Sequence, residues 1–162
     1  MQIMLARIDD RLIHGQVSTV WVKEAKANRI IVVSKEVADD TIRKTLVKQA
    51  APPGIKVNTV NVDKAISVYN NPKYAKETVF YLFTNPSEVV EMVEKGIPIE
   101  SINIGGMQFK TGKKQVTKAV SVDSDDVVAF KRLVELEVEL DLRVVATDTK
   151  GDFVEKLKEA GF

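Results

Sequence analysis

Short apolar runs alternate with amphipathic stretches along the whole chain. The unbroken β-branched run from Arg29 to Val33 is typical of a strand covered on both faces of a sheet. Shorter apolar runs predict further strands at residues 3–8, 56–62, 79–83, 101–104, 119–122 and 140–146. This order predicts an α/β fold, an open and mainly parallel seven-stranded sheet with helices on both faces.

Helical spacing of apolar residues separates most of these strands. The predicted helices begin near residue 15 or 16, span 37–50, 87–94 and 153–160, and run from a cap at Asp123 or Ser124 to about Leu136. The first of these is expected to pack Trp21 onto the sheet. No linker or repeat interrupts the pattern, so we expect a single domain over residues 1–162.

Composition narrows the function classes. The chain has 162 residues, of which 44% are hydrophobic and 29% charged, and its formal net charge of +1 gives no general reason to expect nucleic acid as a partner. It has no cysteine and one histidine, which excludes disulfides, thiolate metal sites and any site with two imidazoles. The longest uncharged run, Leu12 to Val22, is too short to span a membrane, and no signal peptide is recognisable, so a cytoplasmic location is expected.

Candidate chemistry is concentrated in the loop after the first strand. Ligands of parallel sheets bind outside the carboxyl ends of the strands, and this loop holds His14 with Arg11 three residues before it. A neutral imidazole is a good nucleophile toward a phosphoryl group, and a guanidinium pairs with the phosphoryl oxygens. We therefore predict a phosphohistidine at His14, with Arg11 stabilising the phosphoryl group.

Five neighbours are weaker candidates for phosphate binding or support. Arg7, Asp9 and Asp10 can act in the site or serve equally as structural salt-bridge or turn residues. Gly15 and Gln16 stand where a helix begins, and the free N–H groups of a helix start bind anions. A carboxylate in this loop, or a backbone carbonyl, can fix the tautomer of the histidine.

Other interpretations fit less well. A lone histidine near a strand end is as often a hydrogen-bonded turn residue as a functional one. The Arg-His-Gly signature of histidine phosphatases is not matched, because Ile13 precedes the histidine and the chain has no second one. Nothing in the spacing of carboxylates supports a metal site, and no G-x-S-x-G elbow is present.

The stretch from Gly105 to Lys114 resembles a phosphate-binding P-loop only superficially. Five residues rather than four separate Gly106 from Gly112, and Lys114 stands where serine or threonine belongs. We expect a tight turn at Gly105 and Gly106, followed by a basic rim formed by Lys110, Lys113 and Lys114.

The block RIDDRLIHGQV, Arg7 to Val17, closely resembles the signature of the IIB components of the mannose/fructose/sorbose family of the bacterial sugar phosphotransferase system. The resemblance spans nearly the whole chain and continues in order through residues 30–34, 52–54, 83–86, 103–107 and 143–148. It implies an open α/β fold with a seven-stranded, mainly parallel sheet and a cytoplasmic protein that associates peripherally with a membrane transport complex.

The resemblance also implies an activity and its partners. A IIB component is a phosphotransferase that accepts a phosphoryl group from a phosphohistidine on a IIA protein or domain and passes it to a sugar entering through the membrane components IIC and IID. The residue phosphorylated, at Nδ1, corresponds to His14, and the arginine associated with transfer corresponds to Arg11. Neither a nucleotide nor a metal cofactor is implied. The sugar and the oligomeric state stay open, and a homo-oligomer is possible.

Two function classes remain after this reasoning. The first is the phosphocarrier, with His14 as the relay. The second is a non-catalytic sugar-phosphate- or nucleotide-binding α/β module, in which His14 and Arg11 only hold a phosphate. In the first class, the surface around His14 docks IIA, with the three lysines of the basic rim at its edge.

Overall fold

A six-stranded parallel sheet forms the centre of the computed structural model, which describes residues 1–15 and 17–162. The strands, in chain order, are β1 (Gln2–Asp9), β2 (Arg29–Val33), β3 (Lys56–Val60), β4 (Thr78–Phe83), β5 (Ser101–Gly106), β6 (Lys114–Gln115), β7 (Ser121–Val122) and β8 (Glu139–Asp141). In the main sheet their order is β3-β2-β4-β1-β5-β8, and every neighbouring pair is parallel.

The helices flank this sheet. They are a π-helical turn at Val17–Trp21 continued by α1 (Val22–Ala25), then α2 (Lys35–Asp39), α3 (Thr41–Gln49), α4 (Val62–Tyr69), α5 (Pro86–Glu94), α6 (Ser124–Glu135) and α7 (Phe153–Glu159), with a 3₁₀ turn at Pro72–Tyr74. The α/β class with a parallel sheet is confirmed. Within the described residues, no helix is both long and apolar enough to cross a bilayer.

The count of seven strands in one sheet is wrong for this structure. Of the strand predicted at residues 119–122, only β7 forms, and it pairs antiparallel with β6 in a separate two-stranded sheet. The strand predicted at residues 140–146 stops at Asp141. It stops because Arg143 turns back, and both its backbone N–H and its guanidinium donate to the Asp141 carboxylate.

The helices differ from the prediction in two places, and in both a polar side chain caps the backbone. The helix predicted at 37–50 is divided at Asp40, which is extended and whose carboxylate accepts from the backbone N–H groups of Ile42 and Arg43. Val62, the last residue of the strand predicted at 56–62, instead begins α4, a helix that the apolar spacing does not predict, because Asn61 caps it through the N–H of Lys64. At α6, by contrast, the predicted cap is confirmed, since Asp123 forms a capping box with Asp126.

Alternate side chains of the strands bury two separate cores, one on each face of the sheet. On one face, Ile31 and Tyr81 pack with residues of α4, α5, α6 and α7. On the other, Ile30 and Leu82 pack with residues of the 17–25 segment, α2 and α3. Trp21 lies in the second core and is 1% exposed, as predicted. The chain therefore leaves β1 toward one face and leaves β5, its neighbour, toward the other.

Candidate active site at His14

The candidate residues lie where the connections from β1 and β5 diverge. Both strands point the same way, and their carboxyl ends are adjacent. The segment after β1 covers one face of the sheet, whereas the chain after β5 leads to α6 on the other face. Such a divergence leaves a crevice at the carboxyl edge, the usual ligand position in open parallel sheets.

A tight turn after β1 presents two side chains to this crevice. The N–H of Leu12 donates to the carbonyl of Asp9 at 3.0 Å, and Leu12 adopts a φ of 65°, which is rare for a branched residue. The buried Leu12 side chain packs into the core below and holds the turn. As a result, the side chains of Arg11 and His14 are 39% and 22% exposed, while that of Asp9 is fully buried.

The Asp9 carboxylate is the centre of the site. Its Oδ2 lies 2.9 Å from Nη2 of Arg7 and 2.9 Å from Nε2 of His14, and Arg11 donates through Nε to Oδ1 and through Nη2 to Oδ2, both at 3.0 Å. Burial alone would raise the pKa of Asp9, but the hydrogen bonds from Arg11 and His14 and the charge of Arg7 outweigh it and lower the pKa. Asp9 is therefore ionised at neutral pH.

An ionised Asp9 fixes the tautomer of the histidine. A carboxylate only accepts hydrogen bonds, so Nε2 of His14 carries the proton that points to Asp9. In the neutral ring, the lone pair then lies on Nδ1. Among the described residues, none forms a hydrogen bond to Nδ1. The geometry thus leaves Nδ1 as the ring nitrogen with a free lone pair.

Arg7 supports Asp9 from inside the protein. Its guanidinium is fully buried, donates to the side-chain oxygen of Asn103, and lies 4.8 Å from the centre of the Trp21 ring. Burial lowers the pKa of Arg7, which the neighbouring Asp9 partly opposes. Arg7 was predicted only as a weaker candidate, and the structure makes it the buried partner of Asp9.

Asn103 is a supporting residue that sequence reasoning did not single out. Besides accepting from Arg7, it donates through Nδ2 to the carbonyl of Arg143 at 2.8 Å. The nearby carbonyl of Val144 accepts from Nε1 of Trp21 at 3.1 Å. The loop after β8 is thereby fastened to the site. The sequence does contain a signal for Asn103, because it is a lone amide within the apolar run of β5. A buried amide needs hydrogen-bond partners.

Gly105 and Gly106 belong to β5, so the tight turn predicted there is wrong. A Cβ on Gly105 would overlap the guanidinium of Arg7. A Cβ on Gly106 would lie 3.0 Å from Nη2 of Arg11 and 3.1 Å from Oδ1 of Asp9. The arginines thus cross β5 at close range: Gly105 leaves no room for a side chain, whereas a Cβ at Gly106 requires only a small shift of its neighbours.

Gly105→Ala is expected to destabilise the fold by about 3 kcal/mol, since the methyl group displaces the Arg7 guanidinium and leaves buried groups unpaired. Urea unfolding measures this loss. Gly15→Ala is the matched control, because a Cβ there has no neighbour within 4 Å. Equal stability of the two variants would show that Arg7 moves aside without cost.

Arg11 forms one wall of an open groove, which His14 itself does not line. The groove has a volume of about 350 Å³, and its other wall is the segment from Gly106 to Ser121. The hydrogen bonds to Asp9 raise the pKa of Arg11, so it stays charged. Within the described chain, its Nη1 makes no hydrogen bond and is free to meet an anion in the groove.

The other predicted site residues lie at its border. The carboxylate of Asp10 accepts from the N–H of Gln108 at 2.8 Å, which joins the turn to the chain after β5. Gly15 is exposed, and its carbonyl accepts from the Thr19 hydroxyl at 2.6 Å. Gln16 lies outside the described residues.

Two of the three lysines predicted as a basic rim are held by other groups of the chain. Lys113 forms an ion pair with Asp126 at 2.7 Å and is largely buried, and Lys114 donates to the carbonyl of Ala160. Of the three, only Lys110 makes no such contact in the described part of the chain. The expectation of a rim built from all three is therefore wrong. The described residues also contain no cluster of three or more side chains placed to hold a metal ion.

The site combines an imidazole of fixed tautomer with a charged guanidinium that lines an open groove. Such a site suits a protein that transfers phosphoryl groups without enclosing them. The family model of the PTS system sorbose subfamily IIB component matches residues 3–162. The chain belongs to this family, and its function is phosphoryl transfer in sugar uptake.

Individual relatives agree with this assignment. The chain is 67% identical over 159 residues to the PTS system sorbose-specific EIIB component of Lacticaseibacillus casei, covering 98% of this chain and 97% of that protein. It is 60% identical over 150 residues to the PTS system mannose-specific EIIAB component of Escherichia coli (strain K12), covering 93% of this chain and 46% of that protein. The crystal structure of the IIBSor domain of the sorbose permease from Klebsiella pneumoniae matches with a TM-score of 0.96 at 58% identity, covering 100% of this chain and 99% of that one.

Proposed function

We propose that Nδ1 of His14 is the atom that carries the phosphoryl group. The observation that supports this most directly is the 2.9 Å contact between Nε2 of His14 and the ionised Asp9 carboxylate. This contact supports a ring proton on Nε2, because a carboxylate only accepts hydrogen bonds, and therefore a lone pair on Nδ1 that can act as the nucleophile. The side chain is also partly exposed at the carboxyl edge of the sheet, so a second protein can reach it.

The transfer is an exchange of one N–P bond for another. The lone pair of Nδ1 attacks the phosphorus of a phosphohistidine on IIA, roughly in line with the bond that breaks. The electron pair of the broken bond stays on the IIA imidazole, whose other nitrogen must carry a proton for it to leave as the neutral ring. His14 keeps its Nε2 proton, so its phosphorylated ring is cationic and Asp9 offsets that charge. A cationic ring is a good leaving group, which suits the second transfer to a sugar.

Arg11 is the residue that we propose stabilises the phosphoryl group during transfer. Its guanidinium is held by two hydrogen bonds to Asp9, so it is oriented before the donor arrives. The partly exposed Arg11 side chain lines the groove, so it can meet phosphoryl oxygens as they gain charge in the transition state. Arg7, Asp9 and Asp10 then act by positioning, since all three engage other groups of the chain.

The alternative, a non-catalytic sugar-phosphate- or nucleotide-binding module, has less support. Ligand sites of that kind bury most of their ligand's surface in a cleft or cavity. Here the groove beside Arg11 is open along one side, and the two arginines are already paired with Asp9. An open site with prepaired cations holds a phosphate weakly, which suits a group that must leave again.

The family works with a IIA domain, the membrane components IIC and IID, and a sugar. We propose that residues 1–162 form one IIB domain that meets these partners at the cytoplasmic face of the transport complex, without nucleic acid and without an added cofactor. The family description and the position of His14 at an accessible edge of the sheet support this arrangement.

The experiment that tests the proposal is phosphoryl labelling. The protein is incubated with phosphoenolpyruvate, the general phosphotransferase proteins and a IIA protein. We expect one equivalent of acid-labile, base-stable label, which peptide mapping locates on His14. This label should be lost when the membrane components and sugar are added. Reversible binding of sugar phosphate or nucleotide without covalent label would instead support the alternative.

A further inference from the structure

Phe109 is an aromatic side chain with no place in the core. It is 68% exposed, which makes it the most exposed aromatic side chain among the described residues. It follows β5 and lines the same groove as Arg11. Leaving an aromatic ring in water forgoes about 2 kcal/mol of burial energy. A ring kept exposed beside the reacting groups is therefore a candidate contact for a partner.

The chain around Phe109 has one sign of charge. The segment from Gly106 to Ser121 contains four lysines and no acidic residue. Lys113 and Lys114 are engaged within the chain, whereas Lys110 and Lys118 are exposed and form no ion pair with any described residue. Lys118 also lines the groove. A partner that covers this segment therefore needs carboxylates around an apolar contact.

We propose that Phe109 anchors the protein that delivers the phosphoryl group to His14. The docking face, defined here as Phe109, Lys110, Lys118 and the groove wall formed by Arg11, would receive an apolar depression flanked by carboxylates on the phosphohistidine-bearing partner. Arg11 and Phe109 line the same groove, so a donor that brings a phosphoryl group to Arg11 arrives next to Phe109 and can cover its ring. Buried aromatic anchors surrounded by polar residues dominate the energetics of many protein interfaces.

This inference rests on the proposed phosphorylation of His14, and the test separates the two. Transfer to Phe109→Ser is measured from two donors: a phosphorylated IIA protein, which must dock, and phosphoramidate, a small molecule that phosphorylates imidazoles without docking. The matched control is Ile42→Ser, which removes an equally apolar side chain that is 73% exposed on α3.

We expect Phe109→Ser to raise the IIA concentration needed for half-maximal transfer at least tenfold, while phosphoramidate labels it at the wild-type rate. Ile42→Ser should be unchanged with both donors. Wild-type transfer from IIA to Phe109→Ser would overturn the docking role. An equal loss with both donors would also overturn it, because Phe109 would then shape the reacting site. Wild-type protein that takes label from neither donor would overturn the phosphorylation of His14 itself and the docking role with it.

The lysines of the docking face predict a transfer rate that depends on salt concentration. Joint reversal by Lys110→Glu and Lys118→Glu should slow transfer from IIA at low salt, and the difference should shrink as salt rises, because screening weakens steering between exposed charges. The matched control is Lys131→Glu with Lys158→Glu, which reverses two exposed lysines of α6 and α7 and should change nothing. Equal effects of the two pairs would contradict a defined basic face.

Discussion

His14→Ala is expected to abolish phosphoryl labelling while the protein stays folded. The chain contains no other histidine and no cysteine, so no side chain of those kinds can replace the nucleophile. The imidazole is partly exposed and makes one hydrogen bond to Asp9, which keeps its two arginine partners when the ring is removed. Labelling from phosphorylated IIA and sugar phosphorylation by the reconstituted system measure the effect.

Circular dichroism and urea unfolding serve as the folding check for this variant. Thr45→Ala, which changes an exposed threonine of α3, is the control and should label like the wild type. A folded His14→Ala protein that still accepts the phosphoryl group and supports sugar phosphorylation would contradict the assignment of the carrier.

Arg11→Ala is expected to slow transfer about 100-fold, since removing one preorganised group that stabilises transition-state charge commonly has an effect of that size. The loss should appear in the maximal rate at saturating IIA, because the guanidinium acts on the phosphoryl group. Arg11→Lys should recover only part of the rate. An ammonium lacks the planar fork that binds Asp9 with two nitrogens and still presents a third toward the groove.

Single-turnover transfer from phosphorylated IIA separates this rate from docking. Arg43→Ala, which removes an exposed arginine of α3, is the control and should transfer at the wild-type rate. Phosphoramidate labelling of Arg11→Ala should fall as well, unlike that of Phe109→Ser. A variant without Arg11 that keeps the full maximal rate with both donors would remove this residue from the chemistry.

The reacting groups could be predicted from the sequence because they are close together in the chain. Arg11 and His14 lie within four residues of each other, directly after an apolar run that reads as a strand. The hydrogen bond to Asp9 also spans only five positions. A turn of this length brings its own side chains together whatever the rest of the fold does, so local reasoning suffices.

The supporting groups could not be predicted in that way. Asn103 meets Arg7 across 96 positions, and Trp21 meets the carbonyl of Val144 across 123. Nothing local in β5 indicates that its Gly105 lies against a buried guanidinium rather than in a turn. Such contacts exist only once parallel strands from distant parts of the chain have come together.

The sequence by itself determined the α/β class, the strand order along the chain and the loop that carries His14, since hydrophobic period and contiguous residues are local properties. The tertiary structure decided which residues hold that loop in place, where β8 ends, and which lysines face solvent. β8 stops at Asp141 because Arg143 turns back onto its carboxylate. Lys113 leaves the basic rim because the fold brings Asp126 to it. A side chain's charge is fixed by its type, but whether that charge faces a partner or another residue of the same chain depends on what the fold places beside it.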